Sequence, residues 1–260
     1  ARVTMVVRLW LVIVGGMSGA MGTRFGVKGA KGLIRRVPTA TRVEAETTQR
    51  KMWDFPRFVK TVATFTPMPM PLRVLLGNAP SSQVPINLKP KQIIWSAIDN
   101  PHGVQWGTLD DVVMGGASES RFETVGQYGI FSGDIDEANN GGFVGARTLP
   151  LDKPFDASDC KGIYLKVKGD GKRYKCVIRD SNDFNGITWT SEFDTDDTQI
   201  SPSSPWQVIN LPFSSFKPTR FAQTLDYNAL DSSKLWALQL VLSKFAYDGD
   251  LNPNFKAGPM

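Results

Sequence analysis

The chain is poor in the residues from which most catalytic and metal centres are built. One histidine and two cysteines stand among its 260 residues. A single histidine excludes a histidine-based metal cluster, and it leaves only those hydrolytic triads that would use His102 itself. His102 lies in the sequence Asn-Pro-His-Gly, which is typical of a surface turn. We therefore predict neither a catalytic histidine nor a metal site.

The two cysteines, like the histidine, do not indicate a catalytic or metal-binding function. Cys160 and Cys176 are too few for a disulfide scaffold in a domain of this size, and they lack the spacing of metal ligands. Cys176 alternates with Tyr174 and Ile178, as a core residue of a β-strand does. A reducing compartment is the expected environment.

Acidic residues are scarce in the first 94 positions. That segment carries 15 lysine and arginine residues against three acidic ones, a net charge of +12, whereas the rest carries 15 against 22, a net charge of −7. Such a break in composition marks a boundary. We predict a basic N-terminal arm, residues 1–94, followed by a domain over residues 95–260.

Residues 1–36 of the arm are first apolar and then basic. Residues 3–21 form an apolar stretch of about 19 residues, near the lower limit for crossing a bilayer. By the positive-inside rule, the basic residues that follow would hold its C-terminal side in the cytosol, matrix or stroma. A targeting segment is a second interpretation. A dinucleotide-binding turn at residues 16–22 is a third, but the expected acidic residue about 20 positions later is missing. We favour a membrane helix or membrane-contacting segment.

Residues 37–94 are rich in proline and are predicted to form an extended strap without a core of its own. Large apolar side chains are spaced along it, and such anchors on an extended segment are typical of protein contacts. We predict that they bind a partner; they are Trp53, Phe55, Phe58, Phe65, Leu72 and Leu75. Because the basic residues of the arm are scattered, nucleic acid is not expected as a partner.

The pattern of residues 95–260 is one of short strands separated by turns. Ile163, Leu165 and Val167 alternate with polar or aromatic residues, as in a half-buried strand. Gly169 and Gly171 flank an aspartate and predict a hairpin turn into the next strand. About eight or nine such strands predict an all-β domain, an antiparallel β-sandwich of jelly-roll type.

A stretch within residues 106–143 holds the best candidates for a site. Asp110 and Asp111 are followed by a glycine pair, and a second glycine pair closes the stretch. The pair of aspartates could be a catalytic dyad, a metal site or a structural rim. Adjacent residues of a strand point to opposite faces, so we predict that one carboxylate caps loop amides and the other faces solvent or a partner. The predicted structural motif comprises Asp110, Asp111, Gly115, Gly116, Gly141, Gly142 and Phe143.

Two weaker alternatives concern ligands at the rim of the sandwich. Oxygen donors at Asp134, Asp136, Asn139 and Asn140 suit calcium, but their spacing matches no known metal loop. Tryptophans could stack on sugars, yet Trp189, Trp206 and Trp236 fall in strand patterns that favour a core position. A carbohydrate-binding module therefore remains a secondary alternative.

Five blocks of the domain carry a family resemblance: residues 110–118, 129–133, 140–143, 169–174 and 206–213. In this order they resemble the signature of the complex I intermediate-associated protein 30 family, in a plastid or mitochondrial member. The resemblance implies a galactose-binding-like sandwich without known catalysis or a required cofactor, and a role in assembling or supporting membrane electron-transport complexes. It also implies a last strand after residue 245, which we expect to be short or lacking here.

The sequence as a whole predicts a scaffold, linker or assembly protein that is not an enzyme. The sandwich would dock on a membrane complex while the arm straps along that complex or enters the bilayer; pigment or lipid contacts of the arm stay open. We prefer a photosystem or light-harvesting antenna on the stromal side of the thylakoid, because a long arm suits a stably bound subunit. Assembly of respiratory complex I, on the matrix side of the mitochondrial inner membrane, is the alternative.

Overall fold

The computed structural model describes residues 5–12, 51–66, 85–197 and 205–260, the first of these by its strand pairing alone. Within these residues there is one α-helix, α1, which spans Phe55–Phe65. The strands are β1 Met5–Val12, β2 Ile86–Asn87, β3 Trp106–Thr108, β4 Glu119–Val125, β5 Tyr128–Ile135, β6 Phe143–Thr148, β7 Phe155–Asp156, β8 Gly162–Lys168, β9 Arg173–Arg179, β10 Thr188–Asp194, β11 Gln207–Pro212, β12 Lys217–Arg220, β13 Gln223–Thr224, β14 Ala237–Ser243 and β15 Gly258–Pro259. Single 3-10 turns lie at Asp111–Met114, Ala138–Asn140 and Phe213–Ser215.

These strands form two large antiparallel sheets, which confirms the predicted all-β sandwich. The six-stranded sheet has the order β11-β8-β1-β5-β15, with β4 also paired to β5. The seven-stranded sheet has the order β13-β12-β10-β9-β14-β6-β3, and β2 pairs with β7 in a separate short parallel ladder. The last strand, β15, is two residues long and pairs with the end of β5.

A single apolar core fills the space between the two large sheets. Alternate residues of β8, namely Ile163, Leu165 and Val167, are buried against Cys176 and Ile178 of the facing sheet. Each buried side chain of this size contributes roughly 1.5–3 kcal/mol to folding. The predicted hairpin between β8 and β9 is wrong, because β8 pairs with β1 and β11 in one sheet and β9 pairs with β10 and β14 in the other. A turn is present at Gly171, whose φ of 79° lies in the left-handed region that favours glycine, but it carries the chain from one sheet to the facing one. The alternation that predicted these strands therefore also places their core faces.

The N-terminal arm differs from the prediction in both of its described parts. Met5–Val12 is a strand, paired with β5 on one side and β8 on the other, and not part of a membrane helix. Its valines favour a strand, and an apolar run of this length does not by itself distinguish the two structures. The remainder of residues 1–36 lies outside the described residues. Among those described, no helix combines the length and apolarity needed to cross a membrane.

The predicted extended strap contains α1, which has clear start and stop signals. Asp54 caps the helix by accepting a hydrogen bond from the Arg57 backbone N–H at 3.0 Å, and Pro56 occupies the first turn, where its missing N–H costs nothing. The helix ends at Thr66, whose N–H and hydroxyl both donate to the Val62 carbonyl. The expectation of a wholly extended strap is thus wrong for residues 55–65.

Candidate functional site

The rim of the sandwich is built around the buried carboxylate of Asp111. This carboxylate accepts hydrogen bonds from the Ser118 backbone N–H at 2.9 Å, the Ser118 hydroxyl at 2.6 Å and the Gly142 N–H at 2.7 Å. The packing leaves no room for a side chain at Gly116 or Gly141, where a Cβ would lie 2.3 Å and 2.5 Å from Asp111 carboxyl-group atoms. Asp111 therefore ties the two glycine pairs of the motif together, as predicted for one of the two aspartates.

Asp110 is buried as well, which corrects the prediction that the second carboxylate faces solvent. It accepts from the Ser120 N–H at 2.9 Å, from the Ser120 hydroxyl, and from the Gly145 N–H at 3.3 Å. Asp110 is not inside a strand but immediately precedes a 3-10 turn, so the opposite-face rule does not apply. Burial raises the pKa of Asp110, against the opposing effects of the Ser120 hydrogen bonds and the charge of Arg57.

The charge partner of Asp110 comes from α1. The Arg57 guanidinium donates to the Asp110 carboxylate at 2.6 Å and to the Ser118 carbonyl at 2.9 Å. Nearby, the Trp53 indole N–H donates to the Val112 carbonyl at 2.9 Å, and Lys51 pairs with Asp136. The sequence offers no signal for these contacts, because 53 positions separate Arg57 from Asp110. We call residues 51–66 the docked segment.

The docked segment presents an apolar surface outward, which we call the outer aromatic patch. Its exposed members are Met52, Trp53, Phe55 and Val59, with Met114 of the motif also exposed. The rings of Trp53 and Phe55 meet edge-on at 5.3 Å, and the half-buried Phe58 lies 5.1 Å from Trp53. The structure thus brings together three of the residues predicted to bind a partner.

The other predicted partner contacts do not join this patch. Phe65 is buried within the protein, where its ring lies beside Gly107 of β3, so it packs on its own domain and is not available to a partner. Leu72 and Leu75 lie outside the described residues. Phe65 therefore anchors the end of α1 to the sandwich, while Trp53 and Phe55 remain exposed near its start.

The alternatives of metal binding and nucleophilic chemistry gain no support from the described residues. They contain no group of three or more histidine, cysteine or carboxylate side chains placed to share a metal ion. Asp136, one of the suggested calcium ligands, is engaged by Lys51 and by the Ala138 N–H. Both cysteines are free and buried, and burial raises the pKa of Cys160 to about 11 and that of Cys176 to about 12.

The three tryptophans suggested for sugar stacking, all within the described residues, do not share one exposed surface. Trp189 is buried in the core and donates its indole N–H to Asp180 at 2.7 Å. Trp206 is half-buried and stacks on Tyr128 at 5.8 Å, with the Lys168 ammonium 5.0 Å from its ring. Trp236 is half-buried beside the bridge between β7 and Leu235. The carbohydrate alternative loses the support that an exposed Trp189 would have given.

Comparison with known proteins identifies the domain. The sequence profile described as Complex I intermediate-associated protein 30 (CIA30) matches residues 97–259. The chain belongs to this family. An uncharacterized protein of Schizosaccharomyces pombe is 26% identical over 172 residues, which cover 59% of this chain and 75% of that protein.

A solved structure also resembles the chain, at a lower level. The family 11 carbohydrate-binding module of the cellulosomal cellulase Lic26A-Cel5E of Clostridium thermocellum is 20% identical. The alignment covers 62% of this chain and 86% of that module, with a TM-score of 0.40. A likeness at that level carries no inference about ligands.

The part of the chain that matches the CIA30 family contains the motif but not the docked segment. Asp110 and Asp111 lie inside residues 97–259, whereas Trp53 and Arg57 lie before them. The counter-charge of a buried aspartate is thus supplied from outside the matched region. The outer aromatic patch combines one residue of the CIA30 domain, Met114, with four that precede it.

Proposed function

We propose that this chain is a non-enzymatic scaffold or assembly protein of respiratory complex I, which binds an apolar segment of a complex I subunit through its outer aromatic patch. Membership of the CIA30 family supports a role connected with complex I. The observation that carries the binding surface is the exposure of Phe55 and Val59 on α1, and of Trp53 just before it, while Arg57 fixes the helix to the domain. Monomeric proteins rarely expose contiguous apolar patches without a partner.

The chemistry of the patch defines the kind of partner. α1 contains Arg57 and Lys60 but no acidic residue, and aromatic side chains close to a basic rim are typical of the energetically dominant part of an interface. We expect the partner surface to present apolar side chains flanked by carboxylates. Localisation on the matrix side of the mitochondrial inner membrane follows from this choice of partner.

The order of the two candidate complexes is the reverse of that expected from the sequence. The description of the family names complex I, and no contact among the described residues favours a photosystem or an antenna. The preference for the plastid rests on a long arm without a core of its own, which suits a stably bound subunit. That basis is weakened because β1 and α1 both pack on the sandwich.

The test uses the full chain with the double substitution Phe55→Glu and Val59→Glu. We expect copurification with complex I subunits from detergent-solubilised mitochondrial membranes to fall by about tenfold or more, since exposed aromatic anchors dominate such interfaces. The matched control is Val208→Glu, a similarly exposed residue on β11, an edge strand of the six-stranded sheet. Both proteins should retain the thermal stability of the wild type.

Three outcomes are informative. Loss of copurification in the α1 variant alone supports the proposal. Retention of complex I subunits by that variant contradicts the role of the patch. If the wild-type chain copurifies with photosystem or antenna subunits and not with complex I, the proposed complex is wrong and the thylakoid alternative takes its place.

A further inference from the structure

Two arginines lie buried on the face of the seven-stranded sheet that turns away from the core. Arg147 of β6 follows the core residue Ala146, and Arg179 of β9 follows the core residue Ile178, so both side chains leave the sheet on its other side. Their exposed fractions are only 5% and 8%. Arginine is rarely buried to this degree unless it is paired with a counter-charge.

Neither guanidinium is in direct contact with a carboxylate among the described residues. No carboxylate lies within ion-pair distance of either side chain there, and the segments left undescribed contain only Glu44 and Glu46 as acidic residues. Arg147 has two buried donors without a hydrogen-bond partner, Nε and Nη1, and Arg179 has one, Nε. The bond from Arg179 Nη1 to the Asp183 carbonyl, at 2.8 Å, satisfies a different donor.

Aromatic rings cover Arg147 but do not satisfy it. Its Cζ atom lies 5.4 Å from the centre of the Phe65 ring and 5.7 Å from that of the Phe184 ring. Cation–π contacts stabilise a guanidinium through its faces. The N–H groups point within the plane of the guanidinium, so they still need acceptors. The rings therefore provide the walls of a site whose acceptor must come from elsewhere.

The electrostatics of the pair favour an anion as that acceptor. Burial, and then the positive charge of Arg179, lower the pKa of Arg147 to about 9. Burial also lowers the pKa of Arg179, against the opposing charge of the exposed Asp183. A guanidinium keeps its charge at neutral pH, so two like charges are held near each other in a poorly solvated place. A negative group between them would offset both the repulsion and the lost hydration.

We propose that Arg147 and Arg179 bind the phosphate or carboxylate group of a small molecule. Guanidinium N–H groups form charge-assisted hydrogen bonds to such oxyanions, and three donors here lack an acceptor. Phe65 and Phe184 line the site with apolar surface, so the ligand carries an apolar or planar part next to its anionic group. Because Phe65 ends α1, the site is complete only when the docked segment is in place.

The first experiment measures the melting temperature of the full chain in sodium phosphate, sodium succinate and sodium chloride at equal ionic strength. We expect phosphate, succinate or both to raise it above the chloride value, by about 3 °C at ten times the dissociation constant. A response to phosphate alone identifies a phosphate site, and one to succinate alone a carboxylate site. Equal melting temperatures in all three salts would overturn the proposal.

Variants then assign the response to the two arginines. Arg147→Met keeps an unbranched apolar side chain and removes the guanidinium charge, and Arg179→Met does the same at the second position. We expect either to weaken the apparent affinity for the effective anion by about tenfold or more, while the melting temperature in chloride stays level or rises, because an unpaired buried charge is removed. If one variant fails to fold, the other carries the test.

The matched control is Arg173→Met, a substitution of the same type on the same strand and face. Arg173 pairs with Asp194 through two hydrogen bonds of 2.7 and 2.9 Å, so its charge is already compensated. We expect this variant to keep the anion response of the wild type. An anion response that survives in both Arg147→Met and Arg179→Met would show that the anion binds elsewhere, and would contradict the proposal.

Discussion

Two regions of this protein bury charged side chains, and they do so in opposite ways. At the rim, Asp110 and Asp111 accept hydrogen bonds from backbone amides, serine hydroxyls and Arg57. On the outer face of the seven-stranded sheet, Arg147 and Arg179 keep three buried donors without an acceptor. A buried charge whose hydrogen bonds are all made can stabilise the fold. A buried charge without partners destabilises it unless a ligand supplies them. The comparison assigns a structural role to the aspartates and a binding role to the arginines.

The largest expected effect is a loss of stability when a rim aspartate is removed, whereas removal of Arg147 or Arg179 should leave stability unchanged or raise it. Asp111→Ala would leave the buried N–H groups of Ser118 and Gly142 without acceptors, and we expect a loss of about 3–5 kcal/mol in the free energy of unfolding. Chemical denaturation measures this loss. Asp134→Ala, at an exposed position of β5, is the control and should change stability by less than about 0.5 kcal/mol. A loss below about 1 kcal/mol at Asp111 would remove the basis for treating it as the centre of the rim.

A smaller effect tests whether α1 belongs to the rim. Asp110→Asn and Arg57→Met each break the ion pair, and in a double-mutant cycle we expect a coupling energy of about 1–3 kcal/mol. Arg57→Met should also speed amide exchange over residues 55–65, because Trp53 and Phe65 would then hold the helix without it. Coupling near zero, together with unchanged exchange, would mean that α1 docks independently of the motif.

Local patterns of the sequence predicted the parts of the fold that depend on neighbours along the chain. The alternation of Ile163, Leu165 and Val167 predicted the buried face of β8. The glycines after β8 predicted a turn, which Gly171 forms, but not that the turn leads to the facing sheet and not into a hairpin. The same reasoning failed where the contact is distant. Met5–Val12 became a strand because β5 and β8 offered it two edges more than 110 positions away, information that no local window contains.

The candidate sites show the same difference between features that local sequence patterns predict and features that depend on distant contacts. The motif could be located because glycine pairs and aspartates are recognisable in sequence, yet the burial of Asp110 depends on Arg57, 53 positions earlier. Arg147 and Arg179 carried no sequence signal at all. In the sequence each is an ordinary strand residue. The two come near each other only because β14 pairs with both β6, which carries Arg147, and β9, which carries Arg179.

The smallest expected effect concerns the pH dependence of the rim. Burial raises the pKa of Asp110 in the folded chain above its unfolded value near 4. The folded state therefore holds this proton more tightly, so the carboxyl group contributes most stability below the unfolded pKa and loses that contribution as the pH rises through the folded pKa. Asp110→Asn does not titrate. We expect the stability advantage of the wild type over this variant to shrink between pH 4 and pH 7.

Denaturation of both proteins across that pH range measures the difference directly. Asp134→Asn, which changes an exposed carboxylate, controls for the change in net charge. If the advantage of the wild type grew with pH instead, the ion pair with Arg57 would outweigh the cost of burying Asp110. The ionised pair of Asp110 and Arg57 would then make a net favourable contribution to the free energy of unfolding. The difference from Arg147 and Arg179, whose buried charges lack such partners, would be larger than burial alone predicts.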